Sequence, residues 1–246
     1  MNSFLILVWQ EVISAPRKRW DMLVAGMFSG ALGLLTMVCG FKRYLPGTAY
    51  ESTFATGWVA YTMVLAGVAG SIAATVDLNL ERIRYLLSLP VTPVMIASSK
   101  MCGAAATSFL VSLAMLALGN PLVLHLSFPN ALWALGALIL QALSIVGIMC
   151  TLSPFVADMT KLGLVGSIAA GSLQYLSSVY FPPEVFPAWV RPIIYINPLT
   201  YSVNFFRSLV RKEPAHFAFV YLAASASLCV GLGVWSLTRS LVRQMR

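Results

Sequence analysis

Residues 101–157 contain no aspartate, glutamate, lysine or arginine, a run of 57 positions, and residues 52–76 are equally free of charge. Nothing in such stretches solvates a surface, so both read as membrane-crossing segments. Between them Asp77, Glu81, Arg82, Arg84 and Lys100 fall within 24 residues. This charged island is expected to be a loop in water. Its centre, Leu80-Glu81-Arg82-Ile83-Arg84-Tyr85-Leu86-Leu87-Ser88-Leu89-Pro90, reads as a short amphipathic helix stopped by proline. A membrane protein that offers a structured helix to the aqueous phase is expected to dock a partner there.

The rest of the composition agrees. Charged residues make up 10% of the chain, against about 25% for soluble domains, and no Gly/Ser linker, low-complexity tract or repeat divides it. One integral membrane domain, residues 1–246, is expected. The net charge of +8 is concentrated beside the apolar segments, at Arg17-Lys18-Arg19 and at Arg239, Arg243 and Arg246. That placement suits anionic lipid headgroups and topology setting. No basic stripe lies on a soluble surface, so no nucleic-acid partner is expected. Cys39, Cys102, Cys150 and Cys229 each sit in or beside an apolar run without a Cys-x-x-Cys, and read as small buried hydrophobes. The N-terminal apolar segment precedes its basic cluster, the reverse of a signal peptide.

Six segments are long enough to cross a bilayer: 22–41, 54–76, 101–118, 131–152, 162–178 and 217–237. Twenty residues at 1.5 Å rise cover roughly 30 Å of hydrocarbon. The expected fold is an all-α integral membrane protein with six transmembrane helices, an N-terminal interfacial helix over residues 1–16 closed by Pro16, and short re-entrant outer helices before the last span. Six spans place both termini on one side. With the termini cytosolic, that side carries ten of the sixteen lysines and arginines, the expected bias. The segment 181–215 is punctuated by Pro182, Pro183, Pro187, Pro192 and Pro198, which start and stop short elements. Trp189, Tyr195 and Tyr201 supply interfacial anchors.

No Gly-x-x-x-x-Gly-Lys-[Ser/Thr] occurs, nor any Gly-Lys dipeptide, so the chain carries no P-loop for ATP. His125 and His216 lie far apart, each without a cysteine or carboxylate at ligand spacing, and no nucleophile, paired-carboxylate or zinc motif is present. Catalytic residues, cofactor ligands and metal ligands are therefore not expected, nor is enzyme activity. No expected span holds an ionisable residue at mid-depth, which weighs against an ion-coupled carrier; ring or filter signatures of a channel are also missing. An ion-coupled carrier or channel working without an ATPase remains the alternative reading.

Two segments carry a family resemblance. Glu81, Leu86-Leu87, Leu89-Pro90, Pro93 and Lys100 resemble the first cytosolic loop of ABC-2 type permeases, the transmembrane subunits of ABC exporters. Tyr180-Phe181-Pro182-Pro183-Glu184-Val185-Phe186-Pro187-Ala188-Trp189, followed by Asn197-Pro198-Leu199-Thr200-Tyr201 and Arg207, is similar to that family's outer signature before the last span. Trp9-Gln10-Glu11 with Arg17 resembles its Trp-Arg-Glu start, with Gln10 departing at the middle position.

The resemblance implies a permease that forms the translocation path for an amphiphilic drug, lipid or lipid-linked glycan. It implies a prokaryotic inner membrane location with cytosolic termini. It also implies a second permease subunit, identical or a close paralogue, a separate ABC ATPase that binds ATP and magnesium, and surrounding membrane lipid. Glu81, Arg82 and Arg84 would make polar contacts in the ATPase groove and Tyr85, Leu86 and Leu87 would pack there; the alternative is that these charges are solvated and set topology. Gly26, Gly30, Gly163 and Gly166 would let two permeases approach closely, or serve packing within one subunit. Phe28, Trp58, Tyr61 and Tyr175 would line a substrate path, or face lipid or core.

Overall fold

A computed structural model describes residues 3–44, 50–79, 91–156, 159–213 and 216–244. Its helices are α1 (Ser3–Lys18), α2 (Trp20–Tyr44), α3 (Tyr50–Asn79), α4 (Pro93–Gly119), α5 (Phe128–Leu152), α6 (Met159–Tyr175), α7 (Arg191–Ile196), α8 (Pro198–Arg211) and α9 (His216–Gln244). No strand occurs among the described residues, and the all-α membrane architecture expected from the charge pattern is what forms.

Among the described residues, five helical stretches of at least 18 residues are apolar enough to cross a bilayer: Leu23–Gly40, Ser52–Asp77, Pro93–Leu124, Phe128–Phe155 and His216–Arg243. The fifth expected segment, 162–178, forms α6, whose 17 residues extend roughly 25 Å, shorter than the other five and at the lower end of the lengths that cross a bilayer.

Two boundaries differ from the sequence reading for clear reasons. Pro16 does not end the first helix. It sits in the last turn of α1, where its missing N–H costs one ladder bond, and the chain continues through Arg19 N–H to the Ala15 carbonyl (3.2 Å) into α2. The third crossing begins at Pro93, not at residue 101. Thr92 caps it, its Oγ1 accepting the Met95 N–H at 3.4 Å, and Pro93 occupies the first turn, where no N–H is needed. Lys100 therefore lies inside a helix and is only 7% exposed, and Asp77 lies in the last turn of α3. The two ends of the charged island belong to helices, not to a loop in water.

The helices α3, α4 and α5 form the centre, while α2 and α9 lie at the rim. About 61% of the α3 crossing is buried but only 22% of each rim helix. α5 packs along α9, α3 along α4, and α1 along α4. Lipid tails are as apolar as leucine, so helices associate in a bilayer by close contact and not by escape from water. Glycines supply that contact. A Cβ on Gly147 of α5 would lie 2.5 Å from the Cys229 backbone of α9, and one on Gly57 would lie 2.3 Å from the Val179 carbonyl oxygen. Met63, Met115, Leu138 and Phe206 fill the main core, and Val64, Ile145, Leu199 and Val203 a second one beside α6 and α8.

Candidate functional site

One end of the bundle gathers four charges from four places in the sequence. Lys100 Nζ of α4 lies 2.8 Å from Glu11 of α1 and 3.4 Å from Asp77 of α3. Arg19, at the junction of α1 and α2, reaches the same Asp77 carboxylate at 3.4 Å and donates to the Gly70 carbonyl at 3.1 Å. All four side chains are largely buried. Two cations and two carboxylates give a neutral set, which is how a low-dielectric site tolerates charge. Gly103 lets α1 come close here: a Cβ would sit 3.2 Å from Ala15 and from the Glu11 carbonyl.

The expected docking helix, with Glu81, Arg82, Arg84, Tyr85, Leu86 and Leu87, lies outside the described residues. Its attachment points are described: Asp77 precedes it in α3 and Lys100 follows it in α4, and these two form an ion pair. The network thus clamps both roots of the segment 80–90 to each other and to the N-terminal helix.

The sequence-selected glycines and aromatics divide. Trp58 and Tyr61 of α3 border a cavity of about 370 Å³ between α2, α3 and α4, as do Gly26 and Gly30 of α2. Gly30 faces inward, with its absent Cβ position 2.8 Å from Met115 Sδ and 3.1 Å from Thr62. Trp58 Nε1 donates to the Gly30 carbonyl at 2.9 Å. Gly166 also faces its own chain, against Ile72 and Val68 of α3, whereas nothing lies within 4 Å of a Cβ on Gly163. Phe28 points away from the bundle and is 70% exposed; Tyr175 is 66% exposed, but its ring stacks on Tyr180 at 6.0 Å, which lies against Phe54 of α3 at 6.2 Å.

At the opposite end, Asn197 explains the Asn-Pro-Leu-Thr-Tyr motif. Its Oδ1 accepts the Leu199 N–H at 3.0 Å, capping α8, while its Nδ2 donates to the Leu173 and Leu176 carbonyls (2.8 and 2.7 Å) that end α6. Pro198 then starts α8 where no N–H is required. One residue thus closes two helices. Arg207 of α8 donates to the Thr53 and Val179 carbonyls, both at 3.2 Å. Deeper in, the buried Gln141 of α5 donates to the Ala60 carbonyl at 2.7 Å and accepts from Ser202 of α8, joining three helices. Sequence reasoning missed Gln141 because the spans are read from the absence of charge, and an amide carries none. It placed Glu11 only within a motif, without its partner Lys100.

A family model described as ABC-2 type transporter matches residues 2–210. No curated protein matches the chain.

Proposed function

The chain belongs to the ABC-2 type transporter family, which makes it the multi-pass membrane permease of an ABC transporter that associates with an ATPase subunit; from that premise we propose that it is an export permease driven through residues 80–90. The termini and this segment face the cytosol of a prokaryotic cell, and the protein sits in the inner membrane. ATP and magnesium bind in the partner ATPase. Glu81, Arg82 and Arg84 make polar contacts in its groove, and Tyr85, Leu86 and Leu87 pack there. Two permease chains flank the path, with Gly163 as the small-residue contact and Trp58 and Tyr61 nearest the transported molecule, an amphiphilic drug, lipid or lipid-linked glycan. Gly26, Gly30 and Gly166, which face their own chain, contribute indirectly, by letting α2 and α6 lie against the bundle.

The observation that supports this reading best is the ion-pair clamp. A docking element drives a permease only if its displacement is transmitted as a rigid-body movement of the spans. Lys100 holds the roots of α3 and α4 together and fastens both to α1, so force applied at residues 80–90 acts on three helices at once.

The test is ATP-dependent uptake of a labelled amphiphile into inverted vesicles that carry the permease with its ATPase. The Leu86→Asp/Leu87→Asp variant is expected to keep its membrane level and lose uptake. Uptake that survives this variant, or that proceeds without ATP, would contradict the reading and favour an ion-coupled carrier or channel.

A further inference from the structure

We propose that the cleft between α2 and α3 is a binding site for one acyl chain of an anionic bilayer phospholipid, with its headgroup beside Arg17 and Lys18. This goes beyond the transport reading, since it needs neither ATP nor a partner.

The cleft has a definite cause. Trp58 wedges between the two helices: a Cβ on Gly33 would lie 2.3 Å from its ring, and its indole N–H holds the Gly30 carbonyl. Towards the charged end Gly26, Ala66, Ala69 and Gly70 face the space, alongside Leu23 and Leu65. The helices are held apart at Trp58, and the four small residues leave room below it. Val111 and Thr107 of α4 form the back wall.

Its dimensions match one leaflet. Trp58 and Gly70 are twelve residues apart on α3, roughly 18 Å along the axis, and half of the hydrocarbon thickness is about 15 Å. The volume of about 370 Å³ is within the range of small-ligand sites, roughly 300–1,000 Å³. The rim residues Ser29 and Leu65 are exposed, so the cleft opens sideways, into hydrocarbon. A cleft that opens into hydrocarbon is filled from its surroundings, which there are lipid chains.

The charge at the mouth selects the headgroup. Arg19 lines the cleft with its guanidinium already engaged by Gly70 and Asp77. Arg17 and Lys18 are exposed directly before it, and Trp20, 65% exposed, lies at the same level as an interfacial anchor. Asp21, also exposed, is the single carboxylate on this stretch and leaves the local balance positive. A phosphate carrying net negative charge is attracted there, and a zwitterionic one much less.

The test uses the full chain with Trp58 as its sole tryptophan, the other five replaced by phenylalanine, in vesicles without ATP or ATPase. Lipids with dibrominated chains quench indole fluorescence on contact. Dibromo-phosphatidylglycerol is expected to quench Trp58 at least about threefold more effectively, per mole fraction, than dibromo-phosphatidylcholine. Ala66→Leu/Ala69→Leu, which fills the cleft, is expected to remove that extra quenching. Arg17→Gln/Lys18→Gln, at two exposed positions outside the ion-pair network, is expected to bring the two lipids within about 1.5-fold of each other, because each surface cation contributes a several-fold preference. Equal quenching by both lipids in the parent protein, or extra quenching that survives the filled cleft, overturns the proposal. So does quenching that appears only with ATPase and ATP, which would make the ligand a transported molecule. A disulfide dimer formed in vesicles by Leu65→Cys in a cysteine-free background also overturns it, because the second permease would then cover the opening.

Discussion

Replacing Lys100 by methionine keeps most of the apolar stem of the side chain and removes the ammonium group. At an effective dielectric of about 20, the 2.8 Å contact with Glu11 carries about 6 kcal/mol of Coulomb attraction and the 3.4 Å contact with Asp77 about 5 kcal/mol. Desolvation of the ions offsets much of this, and the measured cost of removing one partner from a buried pair is about 3–5 kcal/mol. The two carboxylates do not suffer equally. Asp77 keeps Arg19 at 3.4 Å, whereas Glu11 has no second ion-pair partner among the described residues. The cost of Lys100→Met should therefore come mainly from a stranded Glu11. At about 2–4 °C per kcal/mol for a chain of this size, the thermal midpoint in detergent falls by roughly 6–20 °C. Glu11→Gln in the same protein then relieves the stranded charge: the double variant should lie at least about 1 kcal/mol above the sum of the two single effects. Thermal unfolding of the four proteins in one detergent reads this directly. Effects that add to within about 0.5 kcal/mol would refute the clamp, because uncoupled sites add that closely.

Two further substitutions follow from the glycine geometry, and a third from the asparagine cap. Gly147→Val places side-chain carbon where the Cys229 backbone already is, so α5 and α9 must separate; a cost of at least about 1–3 kcal/mol is expected, seen as a lower midpoint or lost monodisperse yield on size-exclusion. Gly163→Ala, with nothing within 4 Å, should raise the midpoint of the isolated chain slightly in the same assay, because alanine is the better helix former by about 1 kcal/mol. Asn197→Ala removes one cap and two further bonds at the end of α6; the cap alone is worth about 1 kcal/mol, and faster hydrogen exchange should appear at both the start of α8 and the end of α6.

The spans were legible because a helix that faces water needs charged or polar side chains on that face, and 57 consecutive residues without a charge leave hydrocarbon as the surrounding medium. The same logic misplaced the start of α4. Reading charge as water put Lys100 in a loop, but two carboxylates from distant parts of the sequence neutralise it inside the helix, and no local pattern announces such a pairing. Pro16 was a similar case: it forfeits its own ladder bond, but the Arg19 N–H to Ala15 carbonyl bond carries the chain on into α2. The small residues at 26, 30, 163 and 166 were read as points of close approach, yet a glycine does not say what approaches. For Gly30 it is Met115 and Thr62, and for Gly166 it is α3. Among the aromatics, Trp58 and Tyr61 border a cavity, Tyr175 stacks on Tyr180 and Phe28 faces outward, a division set by helix rotation that composition does not encode. Asn-Pro-Leu-Thr-Tyr was recognisable as a motif; its reason, one asparagine closing two helices, needed the fold.

The coupling of residues 80–90 to an ATPase is tested most directly by a single cysteine at Arg84, in a cysteine-free background, expressed with the ATPase in native membranes and treated with a short bifunctional cross-linker. The account predicts a cross-link to the ATPase whose yield changes when ATP is added, together with protection from impermeant reagents outside the cell. Labelling from outside would invert the topology, and a cytosolic cysteine that never joins the ATPase would contradict the proposed drive.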